Sequence, residues 1–296
     1  MALASVVLQL ALVVATMLVT AALAVIGPRR LVTALQDVRW RLEMCLLPVA
    51  ALALVLFLRW STVDVAVRIE HRVLGNNITP QLFELEQLLF PVNPVAVLQT
   101  FQSPELTSFF AFVYIYGYAF LLLFPIVAYF ALETMDDLST LLLAFTVNYA
   151  IGLACYVLFI AYGPRNFDPL LFEGLLYDGF PQMRRLTNQV NQSTNVFPSL
   201  HTSLSMTVFF LAWLTRKKYP LWVPVSGALA ISIAVSTMYL GIHWFSDVAA
   251  GTALAALSVY IGRTYTIRGL SGSISRYIDT RVQRAGRADR DRNRHD

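Results

Sequence analysis

Phe197-Pro198-Ser199-Leu200-His201-Thr202 and Gly241-Ile242-His243-Trp244-Phe245-Ser246-Asp247 bound the stretch that decides how this chain is read. Between them lie two apolar segments joined by Arg216-Lys217-Lys218, so a single helical hairpin brings the polar ends together. Two of the chain's four histidines, His201 and His243, stand at those ends. His243 and Asp247 are four residues apart and share one face if they lie on a helix. A carboxylate so placed holds an imidazole by its far nitrogen and leaves the other nitrogen free for chemistry.

The composition sets the solvent. At 57% hydrophobic and 14% charged residues, with a mean hydropathy of +0.61, the chain is a polytopic membrane protein and not a soluble globular one. Cys45 and Cys155 both fall in apolar segments and suggest neither a disulfide framework nor a zinc site. The expected fold is all-α, a transmembrane bundle of about six to seven spans.

The first candidate span runs from about Ala4 to Ile26 and is stopped by Gly27-Pro28-Arg29-Arg30. No basic residue precedes it and it is long for a cleaved leader, so a retained anchor is expected. A second, short span is expected from about Met44 to Leu58. In residues 61–106, Val63, Val67, Ile69 and Val73 alternate with charges, and Leu82, Leu85, Leu88 and Leu89 precede Pro91 and Pro94. This pattern predicts two amphipathic helices lying in the interface, most simply as a cuff on the bundle. Further spans are expected from about Thr107 to Leu132, Leu138 to Tyr162, Pro198 to Arg216, Leu221 to Met238 and Trp244 to Ile261. Residues 1–106 thus form an N-terminal anchor and interfacial region, 107–262 a membrane core, and 263–296 a basic tail.

With seven spans, one membrane side receives sixteen Lys and Arg residues (four in 27–43, three in 216–218, nine in the tail) and the other six. The positive-inside bias then places the C-terminus in the cytoplasm and the N-terminus outside. The same count puts residues 163–196, His201 and His243 together on the outer face. The arginines of the tail serve topology and anionic lipid, and no nucleic-acid partner is expected.

A third element, Tyr162-Gly163-Pro164-Arg165-Asn166, lies on that same face. Arg165 is either an interfacial anchor or, after its Gly-Pro turn, an anion ligand whose planar fork suits a phosphate. Ser199 adds a hydroxyl, and the helix start after Pro198 offers backbone N–H groups with partial positive charge. Singly, each residue has a bland reading: an interfacial histidine, or a His243–Asp247 capping pair. Together on one face they point to phosphoryl transfer at a membrane surface.

The order Arg165, then Pro198-Ser199-Leu200-His201, then Ser236, His243 and Asp247 resembles the three-part signature of the type 2 phosphatidic acid phosphatase superfamily. It is more similar to the inositol phosphorylceramide synthase-like branch, where Pro-Ser-Leu-His replaces Pro-Ser-Gly-His. The resemblance covers roughly residues 107–262 and implies roles. His243 would attack phosphorus and carry a phosphohistidine, Asp247 would orient it, and His201 would protonate the leaving oxygen and then activate water or an alcohol. Arg165 and Ser199 would bind the phosphoryl oxygens. No cofactor or metal is implied, and the partners are membrane lipids, one of them the phosphate-bearing substrate.

Two positions depart from the signature: Leu158 stands where the family usually has lysine, and Thr237 where it usually has arginine. Arg184 or Arg185, Asn166 and Tyr239 are candidates to compensate. Four functions remain open: a lipid phosphatase, a phosphotransferase moving a headgroup between lipids, a non-catalytic lipid-binding protein on a decayed phosphatase fold, and a metal site on His201, His243 and Asp247.

Overall fold

The computed structural model describes residues 3–69, 77–176 and 194–265. The chain is an all-α membrane bundle. Among the described residues there is no strand, only isolated bridges pairing Asn77 with Ile160 and Ala161 with Asn195. Among the described residues, six helical segments are long and apolar enough to cross a bilayer.

The elements follow local rules. α1 (Leu3–Ala21) runs through a π-helical turn (Ala22–Ile26) to Gly27, and Pro28 opens α2 (Pro28–Gln36) at a position where its missing N–H costs nothing. α3 (Val38–Ile69) contains Pro48, and α7 (Tyr118–Phe130) contains Pro125; membrane helices tolerate both because neighbouring helices satisfy the freed groups. α4 (Thr79–Leu89) and α5 (Pro94–Gln99) are short, and Asn93 caps α5 by accepting the Val95 N–H. α6 (Pro104–Phe112) is capped by Ser103 and passes through a second π-helical turn (Val113–Gly117) into α7. α8 (Asp136–Leu158), the single turn α9 (Pro164–Phe167), α10 (Leu200–Leu214), α11 (Trp222–Tyr239) and α12 (Phe245–Thr264) complete the described chain.

Two expectations change. The second span is not short: α3 runs for 32 residues, with the apolar part over Val38–Ser61. The amphipathic helix expected from Val63 is the continuation of α3 as far as Ile69, because no residue there breaks the helix; the rest of that stretch lies outside the described residues. α4 does form where the leucine pattern predicts, and it ends before Pro91.

α10 is the axis of the bundle and packs against α7, α8, α11 and α12. Its 15 residues rise only about 22 Å, short of the roughly 30 Å hydrocarbon thickness. Being central, it has no need to match that thickness: Leu204, Val208, Ser203 and Thr207 have no exposed surface. A short central helix sinks its N-terminal end, and with it His201, inside the ring of neighbours. Asn148 on α8 binds the Thr207 hydroxyl at 2.9 Å and accepts from Ser203, polar contacts that fix helix pairing where no hydrophobic force acts between helices. By contrast, only 17% of each N-terminal apolar window (α1, α3) is buried, so these two helices lie at the periphery with Leu12, Leu46 and Leu54 facing lipid.

Candidate functional site

Helix α10 begins at the Pro-Ser-Leu-His sequence. Ser199 is its N-cap: its Oγ accepts the Thr202 N–H at 3.3 Å and its hydroxyl donates to Thr202 Oγ1 at 3.0 Å. The Tyr156 hydroxyl donates to the Pro198 carbonyl at 3.1 Å, and the Ser199 N–H donates to the Asp247 carbonyl at 3.1 Å. The second bond ties the start of α10 to the start of α12. The approach requires glycine, since a Cβ on Gly251 would sit 2.5 Å from the Ser199 carbonyl oxygen. The small-residue run Ala249-Ala250-Gly251-Thr252 therefore serves packing within the chain.

α11 ends in a turn that presents His243. The Thr237 carbonyl accepts the N–H groups of both Ile242 and His243, at 2.9 and 3.0 Å, and Gly241 supplies the positive φ of 70° that the turn needs. His243 thus precedes α12 and does not share a helical face with Asp247. Asp247 instead reaches back from the third helical position, its Oδ2 accepting the Trp244 N–H at 2.8 Å and lying 3.4 Å from His243 Nδ1. Capping and orientation of the histidine are one arrangement. His243 is 1% exposed and Asp247 fully buried, and neither His243 nitrogen nor Asp247 Oδ1 has a well-formed hydrogen bond, although the Val196 backbone bears on the ring.

Burial first, and then the charge of Arg165, push the His243 imidazole down to about 3, so it is neutral at physiological pH. Arg165 sits on α9, whose backbone is fastened to the histidine turn: its N–H donates to the Gly241 carbonyl at 3.2 Å, and a Cβ on Gly163 would strike the Ile242 carbonyl oxygen at 2.1 Å. Trp244 locks the two loops together, donating from Nε1 to the Tyr162 carbonyl at 2.8 Å and packing against Phe83, Phe167 and Phe172. Gln99 of α5 adds bonds to the Glu173 and Tyr239 carbonyls at 2.9 and 3.0 Å.

His201 is half-buried, stacked on Tyr114 at 4.7 Å and against Tyr118 at 4.6 Å, and its ring centroid is 6.1 Å from that of His243. The fold therefore gathers His201, His243, Asp247, Ser199 and Arg165 at one end of the bundle. Among the described residues, no three His, Cys, Asp or Glu side chains are grouped as metal ligands.

The other sequence candidates fall elsewhere. Tyr239 commits its hydroxyl to Thr107 at 2.9 Å, Asn166 is exposed, and Arg184 and Arg185 lie outside the described residues. Leu158 ends α8 and is 48% exposed, while the Thr237 hydroxyl donates to the Ala234 carbonyl at 2.8 Å. Leu200 points away from the site into Gly152 of α8, where a Cβ would meet its Cδ2 at 2.6 Å. Its presence in place of glycine is thus a packing feature.

Two residues escape sequence reading. Arg59, near the end of the apolar part of α3, places its guanidinium carbon 5.4 Å over the Tyr149 ring, while Tyr118, on the neighbouring α7, is a ring beside His201. A cation at the end of an apolar span was the available signal. Glu86 of α4 is fully buried, its Oε1 accepting the Ser246 N–H at 2.9 Å and hydroxyl at 3.0 Å and its Oε2 the Asn93 amide at 2.8 Å. It caps α12 beside Asp247, a role no spacing within α4 reveals.

The family model described as PAP2 superfamily matches residues 80–261, from α4 through most of α12. The bacitracin transport permease protein BcrC of Bacillus licheniformis is 42% identical over 65 residues, which is 22% of this chain and 30% of that protein. The chain thus matches under a third of that relative's length. No solved structure matches the chain.

Proposed function

The chain belongs to the PAP2 superfamily, and from that premise we propose that it is a metal-independent membrane enzyme that hydrolyses a lipid phosphate or diphosphate through a phosphohistidine. The observation that carries this reading is the pair of imidazoles 6.1 Å apart at the ends of one helical hairpin, one of them backed by a buried carboxylate.

In the first step His243 Nε2 attacks phosphorus while Nδ1 faces Asp247. The bond from phosphorus to the leaving oxygen breaks, and His201, protonated when the anionic substrate binds, gives its proton to that oxygen. In the second step His201, now neutral, takes a proton from water as the water oxygen attacks phosphorus. The P–N bond breaks, phosphate leaves, and both histidines return to their starting states. Arg165 holds the phosphoryl oxygens, and the Ser199 hydroxyl joins it by turning from Thr202. The first turn of α10 adds its partial positive charge. Arg59 supplies, from outside the family signature, positive charge that Leu158 and Thr237 do not.

A second reading, transfer to a lipid hydroxyl as in the inositol phosphorylceramide synthase-like branch, uses the same first step. The aromatic wall of Tyr114 and Tyr118 around His201, where the acceptor must enter, favours it. The substrate is drawn from the membrane, and the positive-inside count supports a cytoplasmic C-terminus and an outward-facing site.

The test is phosphate release from lipid monophosphates and diphosphates by purified protein, with a chelator and with or without an acceptor alcohol. Release that survives chelation and is lost in His243→Ala supports hydrolysis; phospho-alcohol formed at its expense supports transfer. Release unchanged in His243→Ala would overturn the assignment, and no turnover of any kind would leave the lipid-binding protein without catalysis.

A further inference from the structure

At the end of the bundle opposite the histidines, a cavity of about 480 Å³ is lined by Arg29 and Arg30 of α2, Arg41 of α3, and Lys217 and Lys218 of the α10–α11 turn. We propose that this cavity binds a phosphate-bearing anion, the headgroup of an acidic phospholipid in the adjoining leaflet. The inference is independent of the reaction assigned to the histidine site.

Five cations line this cavity against a single lining carboxylate, Glu133. Two further acids lie at its edge: Asp37 is 3.8 Å from Arg41 Nη2, and Asp137 pairs with Lys218. Counting these, the positive charge still exceeds the negative by two (five minus three). Topology bias explains why basic residues gather on one membrane side, but it does not bring residues so distant in sequence into one concavity. Arg41 forms the floor. It is 4% exposed, its Nη1 donates to the Phe130 carbonyl at 2.7 Å and to the Leu132 carbonyl, and its Nε has no hydrogen-bond partner. The last carbonyl of α7 and that of Leu132 just beyond it thus hold a guanidinium in place from behind. Arg30 is braced over the Tyr219 ring at 5.6 Å.

Arg29 and Lys217 are exposed at the rim and, among the described residues, pair with no carboxylate. The cavity is of headgroup size, within the range of small-ligand sites. Beside it Val32, Leu35 and Trp40 are 54%, 71% and 45% exposed. Apolar side chains next to a basic pocket suit a ligand whose tails remain in the bilayer, which favours a lipid over a free ion.

The test uses the full chain in detergent, titrated with phosphatidylglycerol, phosphatidylcholine or inorganic phosphate, with thermal unfolding as the readout. The variant Arg29→Gln/Lys217→Gln removes only exposed rim charges and is expected to unfold at the wild-type temperature without ligand. Phosphatidylglycerol should raise the unfolding temperature of the wild type above the phosphatidylcholine baseline. The variant should need about tenfold more of it, and salt should weaken the effect in the wild type. If inorganic phosphate alone gives the same variant-sensitive shift, the cavity takes a soluble phosphate. A shift equal in variant and wild type, or none with either anion, would overturn the proposal.

Discussion

The imidazoles of His201 and His243 lie 6.1 Å apart with their planes inclined at 58°. They are too far apart to hydrogen-bond to each other. His201 is held by the cap at Ser199 and by two tyrosine faces, His243 by the Thr237 carbonyl and Asp247. Such fixed positioning is what a displacement at phosphorus asks of a protein.

Asp247→Asn separates the two tasks of that residue. Its amide oxygen can still accept the Trp244 N–H, so the first turn of α12 should survive and the unfolding temperature should change little. The charge that supports His243 is lost, and phosphate release should fall about a hundredfold or more. Unchanged turnover in a folded Asp247→Asn protein would reduce Asp247 to a helix cap.

Arg59→Gln tests the cation that the signature lacks. Its stack on Tyr149 is worth about 1 kcal/mol, so the fold should persist. Phosphate release should drop about tenfold or more, with Arg59→Lys recovering part of it. Full activity in Arg59→Gln would confine Arg59 to packing.

Acid should destabilise the protein through His243. Its folded value of about 3 lies below the ordinary 6.5, so between those values the unfolded chain binds a proton that the folded chain refuses. Stability from this group is therefore complete above pH 6.5 and is lost as pH falls toward 3, amounting to about 2 kcal/mol at pH 5. Unfolding followed from pH 7 to pH 5 should show a smaller loss in His243→Asn than in the wild type. Equal losses would show that the imidazole is not held neutral.

Gly152→Ala places a methyl against Leu200, one residue before His201. The overpacked contact should cost about 1–3 kcal/mol and lower turnover. Adding Leu200→Ala should restore much of both, because two residues in contact are not additive. A double variant as damaged as the sum of the singles would show that the two do not act through this contact.

Much of the architecture is legible in the sequence because a bilayer enforces a simple rule: spans must be long and apolar, and polar residues that interrupt them stand out. The spans α6–α7, α8, α11 and α12, the α10–α11 hairpin and the α4 leucine stripe all follow from it, whereas α10 is shorter than the span expected there. α3 is longer than its apolar run predicts, because the helix begins before that run and continues through the charged Arg41 and Glu43. The co-location of His201, His243 and Arg165 follows from counting spans, since an odd or even number of crossings fixes the side. What that counting cannot give is contact. Arg59 stacks on Tyr149 of another helix, Glu86 caps a helix 160 residues away, and Arg41 meets Lys217 across a cavity. The chain alone thus determined which residues sit at each end of the bundle, because crossing a membrane is a one-dimensional constraint. Only the tertiary structure decided which of them meet, because helix packing sets neighbours in the plane where the sequence carries no periodic signal.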